Sequence, residues 1–266
     1  MKKIVLLVAF AVLLCACGGN GSLTLIHFND THSHLDPLRD GRGGVIERAA
    51  FVDSVRRADG KRNVLLLHAG DFSQGSSYFT ILEGELEIDL INAMGYDCVC
   101  LGNHEFDNGI EALTGRLSRL NCPVVCANYD FSSFELGEYV KPWAVVQKAG
   151  RRIGIIGLLT DLTKMVSRPT ADRIPHVGPE DQRVNELAAM LRQDQKCDYV
   201  ILLTHIGFSD DVHLASQLRG VDLIVGGHSH TVIDAPEVVP DLDGRPLPIL
   251  QDGEWGLSAG LAHIQL

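Results

Sequence analysis

Acidic, imidazole and amide side chains recur in this sequence as short polar clusters, each set directly after an apolar run. Asn29-Asp30-Thr31-His32 follows the first run, Gly70-Asp71 the second and Gly102-Asn103-His104-Glu105 the third. Thr204-His205 ends a fourth, and Gly226-Gly227-His228-Ser229-His230 follows a fifth. Asp, Asn and His offer oxygen and nitrogen ligands, and no cysteine joins them. That donor set suits Zn, Mn or Fe in a mixed site rather than a thiolate cluster. One histidine alone is more simply a satisfied core or surface residue, but five clusters at equivalent positions are not explained that way. Gly70, Gly102, Gly226 and Gly227 flank these side chains, and glycine permits the tight turns and close backbone approach such a site needs.

These side chains need a scaffold that presents them together. Residues 23–29, 63–68, 98–101, 124–127, 199–204 and 223–225 read as strands, with Val64-Leu65-Leu66-Leu67 apolar throughout. Residues 45–57, 85–94, 109–120, 182–195 and 211–218 read as helices, the first with Val45, Ala49, Val52 and Val55 near one face and the second closed by Gly95. Residues 145–148 and 153–158 flank Ala149-Gly150-Arg151-Arg152 as a hairpin. Residues 249–251 and 257–265 read as closing strands. Buried strands alternating with helices imply an α/β layered fold. Ligands in such folds bind outside the carboxyl ends of the strands, so the five clusters are expected to converge on one edge.

Composition narrows the function. The chain has 266 residues, 45% hydrophobic and 21% charged, which is globular and long enough to bury a core without disulfide staples. A formal net charge of −11 excludes broad binding to nucleic-acid backbones but not small anionic substrates. Lys2 and Lys3 precede an apolar run of eleven residues, 4–14, too short for a spanning helix of about 20. Leu14-Cys15-Ala16-Cys17 follows and resembles a bacterial lipoprotein signal, with Cys17 as the lipidated residue; bulky Leu14 makes Cys15 the poorer fit. Residues 1–17 are thus expected to be a leader, 18–22 a flexible tether and 23–266 one domain. The expected location is exported and membrane-anchored through the lipid, periplasmic or on the cell surface. Cys98, Cys100, Cys122, Cys126 and Cys197 remain, an odd number without structural-zinc spacing, and are expected to be buried thiols.

Ile26-His27-Phe28-Asn29-Asp30-Thr31-His32, Ala69-Gly70-Asp71, Gly102-Asn103-His104-Glu105-Phe106-Asp107-Asn108-Gly109, Leu203-Thr204-His205-Ile206-Gly207 and Val221-Asp222-Leu223-Ile224-Val225-Gly226-Gly227-His228-Ser229-His230-Thr231 occur here in order. Together they resemble the calcineurin-like metallophosphoesterases, most closely the catalytic domain of the 5′-nucleotidase family, over residues 23 to 266. The resemblance implies an α/β sandwich of two mixed β-sheets flanked by helices. It implies one divalent ion on Asp30, His32, Asp71 and His230, and a second on Asp71, Asn103, His205 and His228, with Asp71 bridging. His104 would face the substrate, oriented by Asp107. Two ions about 3.5–4 Å apart clamp the attacking and leaving oxygens of an in-line displacement and make hydroxide available near neutral pH. The implied reaction is hydrolysis of phosphate monoesters, 5′-nucleotides or related small esters. A cyclic-nucleotide or other phosphodiesterase shares the same residues. Two further readings are a non-enzymatic metal- or partner-binding lipoprotein, and a catalytic subunit that needs a separate chain. Secreted members of the family continue into a nucleotide-specificity domain. None is expected within these residues, so a separately encoded one is an expected partner, or else the site takes a broader range of esters.

Other polar residues near the motifs are read more plainly. His34 is expected beside the ligands or exposed, His68 structural, and Glu105 behind the ligands or at a helix start. Asn128 is expected to line the cleft or to form an ordinary turn. His176, His213 and His263 are expected at the surface or in packing.

Overall fold

A computed structural model describes residues 22–162 and 173–266. The leader 1–17 with Cys17, and the tether up to residue 21, lie outside the described residues. Two six-stranded sheets pack face to face. The first has the order β12-β1-β2-β3-β4-β5, from β1 (Ser22–Phe28), β2 (Val64–His68), β3 (Cys98–Cys100), β4 (Val124–Val125), β5 (Val140–Lys141) and β12 (Gly260–Gln265). The second has the order β10-β11-β9-β8-β7-β6, from β6 (Trp143–Lys148), β7 (Arg151–Leu159), β8 (Tyr199–His205), β9 (Leu223–Val225), β10 (Glu237–Pro240) and β11 (Pro246–Leu250). Each sheet has a parallel interior; β12 runs antiparallel to β1, β6 to β7 and β10 to β11. Both sheets are therefore mixed, as expected.

Period-two alternation sorts each strand between two cores. Leu23, Leu25, Leu65 and Leu67 point between the sheets, against Ile153, Ile155, Ile201 and Leu203. Ile26, Phe28 and Leu66 point outward under α1 (Val45–Asp59), α3 (Glu85–Met94) and α4 (Gly109–Leu117). On the second sheet, Ile156, Val200, Leu202 and Ile224 face α5 (Glu180–Gln193) and α6 (Phe208–Ala215). Strands buried on both faces are why their sequences are continuously apolar. Helix α1 buries Val52 and packs Val45, Ala49 and Val55 against the core. Gly95, with φ 66°, closes α3, and its N–H returns to Ile91 O at 3.0 Å. The β6–β7 hairpin turns on Ala149 and Gly150, both at positive φ, the turn whose twist matches paired strands. Among the described residues all five cysteines are free, and four are buried. No described helix is long and apolar enough to cross a membrane.

Among the described α-helices and strands, three were not anticipated. The short helix α2 (Ser77–Leu82) buries none of its residues, so it carries no apolar stripe to read. Strand β10 lies at an exposed edge, next to Pro236 and ending on Pro240, and the prolines mask it. The two-residue β5 is too short to show alternation. Pro246 and Pro248 likewise hide the first part of β11, and the helix expected at 211–218 begins three residues earlier, at Phe208.

Candidate metal centre

The parallel strands of both sheets end on the same side. Ala127 N donates to Gly157 O at 2.8 Å, and His205 Nδ1 donates to Ala69 O at 2.7 Å, so the exits of β4 and β7, and of β2 and β8, meet. The five clusters therefore converge, but from two sheets rather than one: β1, β2 and β3 supply three, β8 and β9 the other two. Two groups form. Asp30, His32 and His230 each offer one ligand atom within 4.8 Å of the others, and so do Asp71, His205 and His228. Both groups meet at His205, whose Nε2 lies 2.9 Å from Asp71 Oδ2 and 3.9 Å from Asp30 Oδ1.

The backbone is held in an uncommon state to achieve this. Asp30, His32, Asp71, His228 and His230 all have positive φ, between 46° and 78°. Non-glycine residues in that region carry strain, and such residues cluster at functional sites. Hydrogen bonds fix the loops: Asp30 N to Gly70 O at 3.0 Å, His32 N to Asp71 O at 3.0 Å and Trp255 N to Asp30 O at 2.7 Å. Glycine leaves room where the loops touch. A Cβ on Gly227 would sit 2.5 Å from Ala69 O and 2.9 Å from His205 Nδ1. One on Gly70 would sit 2.7 Å from His205 Nδ1.

Each carboxylate has one oxygen anchored and one directed inward. Asp30 Oδ2 accepts from Asn29 Nδ2 at 2.7 Å and from His228 N at 2.9 Å, while buried Oδ1 has no hydrogen bond. Asp71 Oδ1 accepts from His104 N at 2.9 Å, which leaves Oδ2 toward His205. The imidazoles are oriented likewise. His205 donates Nδ1–H to a backbone carbonyl, and His230 Nδ1 lies 2.8 Å from Glu254 Oε2. Both present Nε2 inward, and bonds to the other ring nitrogen of this kind fix the tautomer of metal-binding histidines. His230 Nε2 is 3.1 Å from His32 Nε2 and 3.3 Å from Asp30 Oδ1. Asn103, 3% exposed, has no hydrogen bond to its buried Oδ1.

Unpartnered inward-facing oxygens and imidazole nitrogens are the donor set of a divalent cation, and these residues fit one. Titration points the same way. Burial pulls His205 down, but the Asp71 and Asp30 carboxylates outweigh it and push it up to about 10. Burial pushes Asp71 up, and His205 more than reverses this, holding its carboxyl well below the usual range. The carboxylates thus retain positive charge on imidazole that a bound metal would replace.

His104 stands apart from both groups. Its ring meets His32 edge-on, with centroids 5.4 Å apart, and its Nδ1 is 2.9 Å from Asp107 Oδ2. That bond raises its pKa, against the opposing effect of burial. Glu105 is fully buried and accepts from Gly102 N at 2.6 Å, Asp71 N at 2.9 Å and Ser73 N at 3.1 Å, stitching two loops together. Burial, with Asp71 beside it, pushes Glu105 up to about 7. His34 buttresses the site: Nδ1 bonds His32 O at 3.0 Å and the ring stacks on Trp255, 4.2 Å between centroids. His68 is buried, bonded to Thr31 Oγ1 at 3.1 Å and lowered to about 3 by burial, which is a structural role. Asn128 neither lines a cleft nor forms a plain turn: it is buried and bonds both N and O of Leu159, at 3.0 and 2.6 Å. His176 pairs with Glu180, and His263 lies 3.2 Å from Thr24 Oγ1.

Sequence reasoning missed Glu254, the role of Asn29, and Gln251, which accepts from Ser229 Oγ and Thr231 N and donates to Gly227 O. A signal existed. Gln251-Asp252-Gly253-Glu254 is itself a polar cluster directly after an apolar strand, β11.

Comparison with known proteins agrees with this geometry. The family model for calcineurin-like phosphoesterase matches residues 23–232. A probable 5′-nucleotidase of Treponema pallidum (strain Nichols) is 34% identical, over 92% of this chain and 45% of that protein. The 5′-nucleotidase of Homo sapiens is 32% identical, over 98% of this chain and 49% of that protein. The crystal structure of a 5′-nucleotidase precursor from Thermus thermophilus superposes with a TM-score of 0.84 at 35% identity, covering 92% of this chain and 51% of that one. The chain spans about half the length of the curated relatives it matches.

Proposed function

We propose that this chain, which belongs to the calcineurin-like phosphoesterase family, hydrolyses phosphate monoesters where its two sheets meet, with 5′-nucleotides the favoured class. One observation carries the reading: two carboxylate–imidazole groups, Asp30-His32-His230 and Asp71-His205-His228, lie side by side and meet at His205. In this reading Asp30, His32, Asp71 and His230 would hold one divalent ion, and Asp71, Asn103, His205 and His228 a second. Asp71 would belong to both sets, and Zn, Mn and Fe suit the donors. Bound there, the pair would supply Lewis acidity toward phosphoryl oxygens and a source of hydroxide near neutral pH. The names of the relatives support nucleotides over other esters.

The protein's own groups supply binding, orientation and the proton. Asp71 Oδ1 holds the His104 backbone N–H at 2.9 Å, which ties the position of the His104 ring to the bridging carboxylate. Asp107 fixes the proton on His104 Nδ1 and, by raising the pKa, keeps a second on Nε2. Nε2–H is then available to a phosphoryl oxygen, or to the leaving alkoxide as its bond to phosphorus breaks.

The proposal extends to location. Residues 1–17 direct export, Cys17 carries lipid, and residues 18–22 tether domain 23–266 to the membrane, periplasmic or at the cell surface. Nucleoside contacts fall to a further specificity domain, borne by the same chain or a separate one. The test is hydrolysis of 5′-AMP and p-nitrophenyl phosphate by the purified protein after chelation, and again with Mn²⁺ or Zn²⁺ restored. Metal-restored activity favouring 5′-AMP supports the reading; activity on the generic ester alone removes nucleotide preference; metal-independent hydrolysis removes the site.

A further inference from the structure

The first described residue, Ser22, and the candidate metal centre lie at opposite ends of β1. Ser22 opens the strand and Asp30 lies two residues past its end, eight steps on, which at about 3.3 Å per residue places them roughly 25 Å apart. The register Thr24↔Val64 sets Ser22 level with Arg62. The β6–β7 turn packs at the same point, where Ala149 N donates to Arg62 O at 2.8 Å.

Charge at this pole runs against the rest of the chain, whose net charge is −11. Two of the carboxylates here are ion-paired, and Asp59, bonded to a hydroxyl, keeps a single negative charge against three cations. Asp59 accepts from Thr24 Oγ1 at 2.7 Å, Asp97 pairs with Lys148 at 2.8 Å, and Asp198 pairs with Arg151 at 3.4 Å. Arg57, Lys61 and Arg62 are exposed and make no ion pair among the described residues. The adjoining start of β8 is balanced, with Lys196 near Asp194 and Arg192 paired to Asp222.

We propose that the pole where β1 begins is the face this protein lays against an anionic bilayer, with Arg57, Lys61 and Arg62 meeting lipid headgroups. The inference rests on the lipid-anchor reading above. From Cys17 to Ser22 the chain has five steps and spans at most about 18 Å, so an anchored protein keeps this pole close to the headgroups. Attraction of Lys and Arg to an anionic leaflet acts within a Debye length of about 8–10 Å and is worth about five-fold in partition per cation. The acidic remainder of the surface is repelled by the same field. The candidate metal centre is thereby turned away from the membrane toward soluble substrate.

The test uses the full lipidated chain on phosphatidylcholine vesicles with and without phosphatidylglycerol. Lysine acetylation is timed by mass spectrometry. Lys61 is expected to react several-fold more slowly when phosphatidylglycerol is present, while Lys141, on β5 at the far edge of the first sheet, reacts at one rate on both. The double variant Arg57→Gln, Arg62→Gln is expected to lose most of that protection. Equal Lys61 rates on the two vesicles would overturn the docking surface and leave the anchor standing. Failure of the native chain to float with phosphatidylcholine vesicles would remove the anchor, and this surface with it.

Discussion

His104→Ala tests the proton role most sharply, because its effect must depend on the leaving group. The side chain touches neither carboxylate–imidazole group through a hydrogen bond; its one strong contact is Asp107 Oδ2, 2.9 Å from Nδ1. A positioned general acid contributes roughly 10²–10⁴-fold, so turnover of 5′-AMP, whose alkoxide must be protonated, is expected to fall by that factor. p-Nitrophenolate leaves without a proton, so the loss on that ester is expected to be about ten-fold or less. Asp107→Asn is the graded version. The two side chains are 30% and 29% exposed, so a charge-assisted bond of about 1.5–3 kcal/mol is discounted for solvent to roughly 1 kcal/mol, or about five-fold in kcat. Asp107 raises the His104 pKa, so the imidazole keeps its proton further up the pH scale; without that carboxylate, the alkaline limb of kcat is expected to move to lower pH. Steady-state kinetics on both esters across pH, with metal content measured in parallel, reads all of this. Equal losses on both esters with metal intact, or an unmoved alkaline limb in Asp107→Asn, would refute the acid role.

Three further changes probe the scaffold. Glu254→Gln weakens the support of His230 Nδ1, and metal affinity is expected to fall about 10–100-fold by titration calorimetry, with kcat little changed at saturating metal. In Gly227→Ala the new Cβ meets Ala69 O and His205 Nδ1, so His205 is displaced and metal stoichiometry is expected to drop; full occupancy would count against the tight approach. Asn128→Ala leaves the N–H and C=O of Leu159 unpaired in the core, at about 1–3 kcal/mol each, so denaturant unfolding should show a loss of roughly 2–6 kcal/mol.

What could be read from sequence follows the physics of each element. Strands β2 and β8 are buried on both faces, so unbroken apolar runs announced them, and the polar residues at their ends stood out against that background. Helix α1 was legible because Val45, Ala49, Val52 and Val55 recur at helical spacing. Helix α2 buries nothing, and β10 lies at an exposed edge beside proline, so neither leaves a periodic trace. At the site, Asp30, His32, Asp71, His205, His228 and His230 come together, because the parallel strands of both sheets end on one side. Their supports were harder to see. Glu254 reaches His230 only because β11 pairs with β9, and that pairing joins residues about 25 apart with nothing local to mark it. Glu105 shows as a motif residue, but two of its three backbone donors, Asp71 N and Ser73 N, come from a loop that only the fold brings near.

In the proposed reading the two groups would hold two metal ions, with Asp71 common to both. Anomalous diffraction from crystals of the Mn²⁺-loaded protein tests it directly. Two peaks are expected, one within ligand distance of Asp30, His32 and His230, the other of Asn103, His205 and His228, with Asp71 touching both. A single peak, or a pair that Asp71 does not contact, would contradict it.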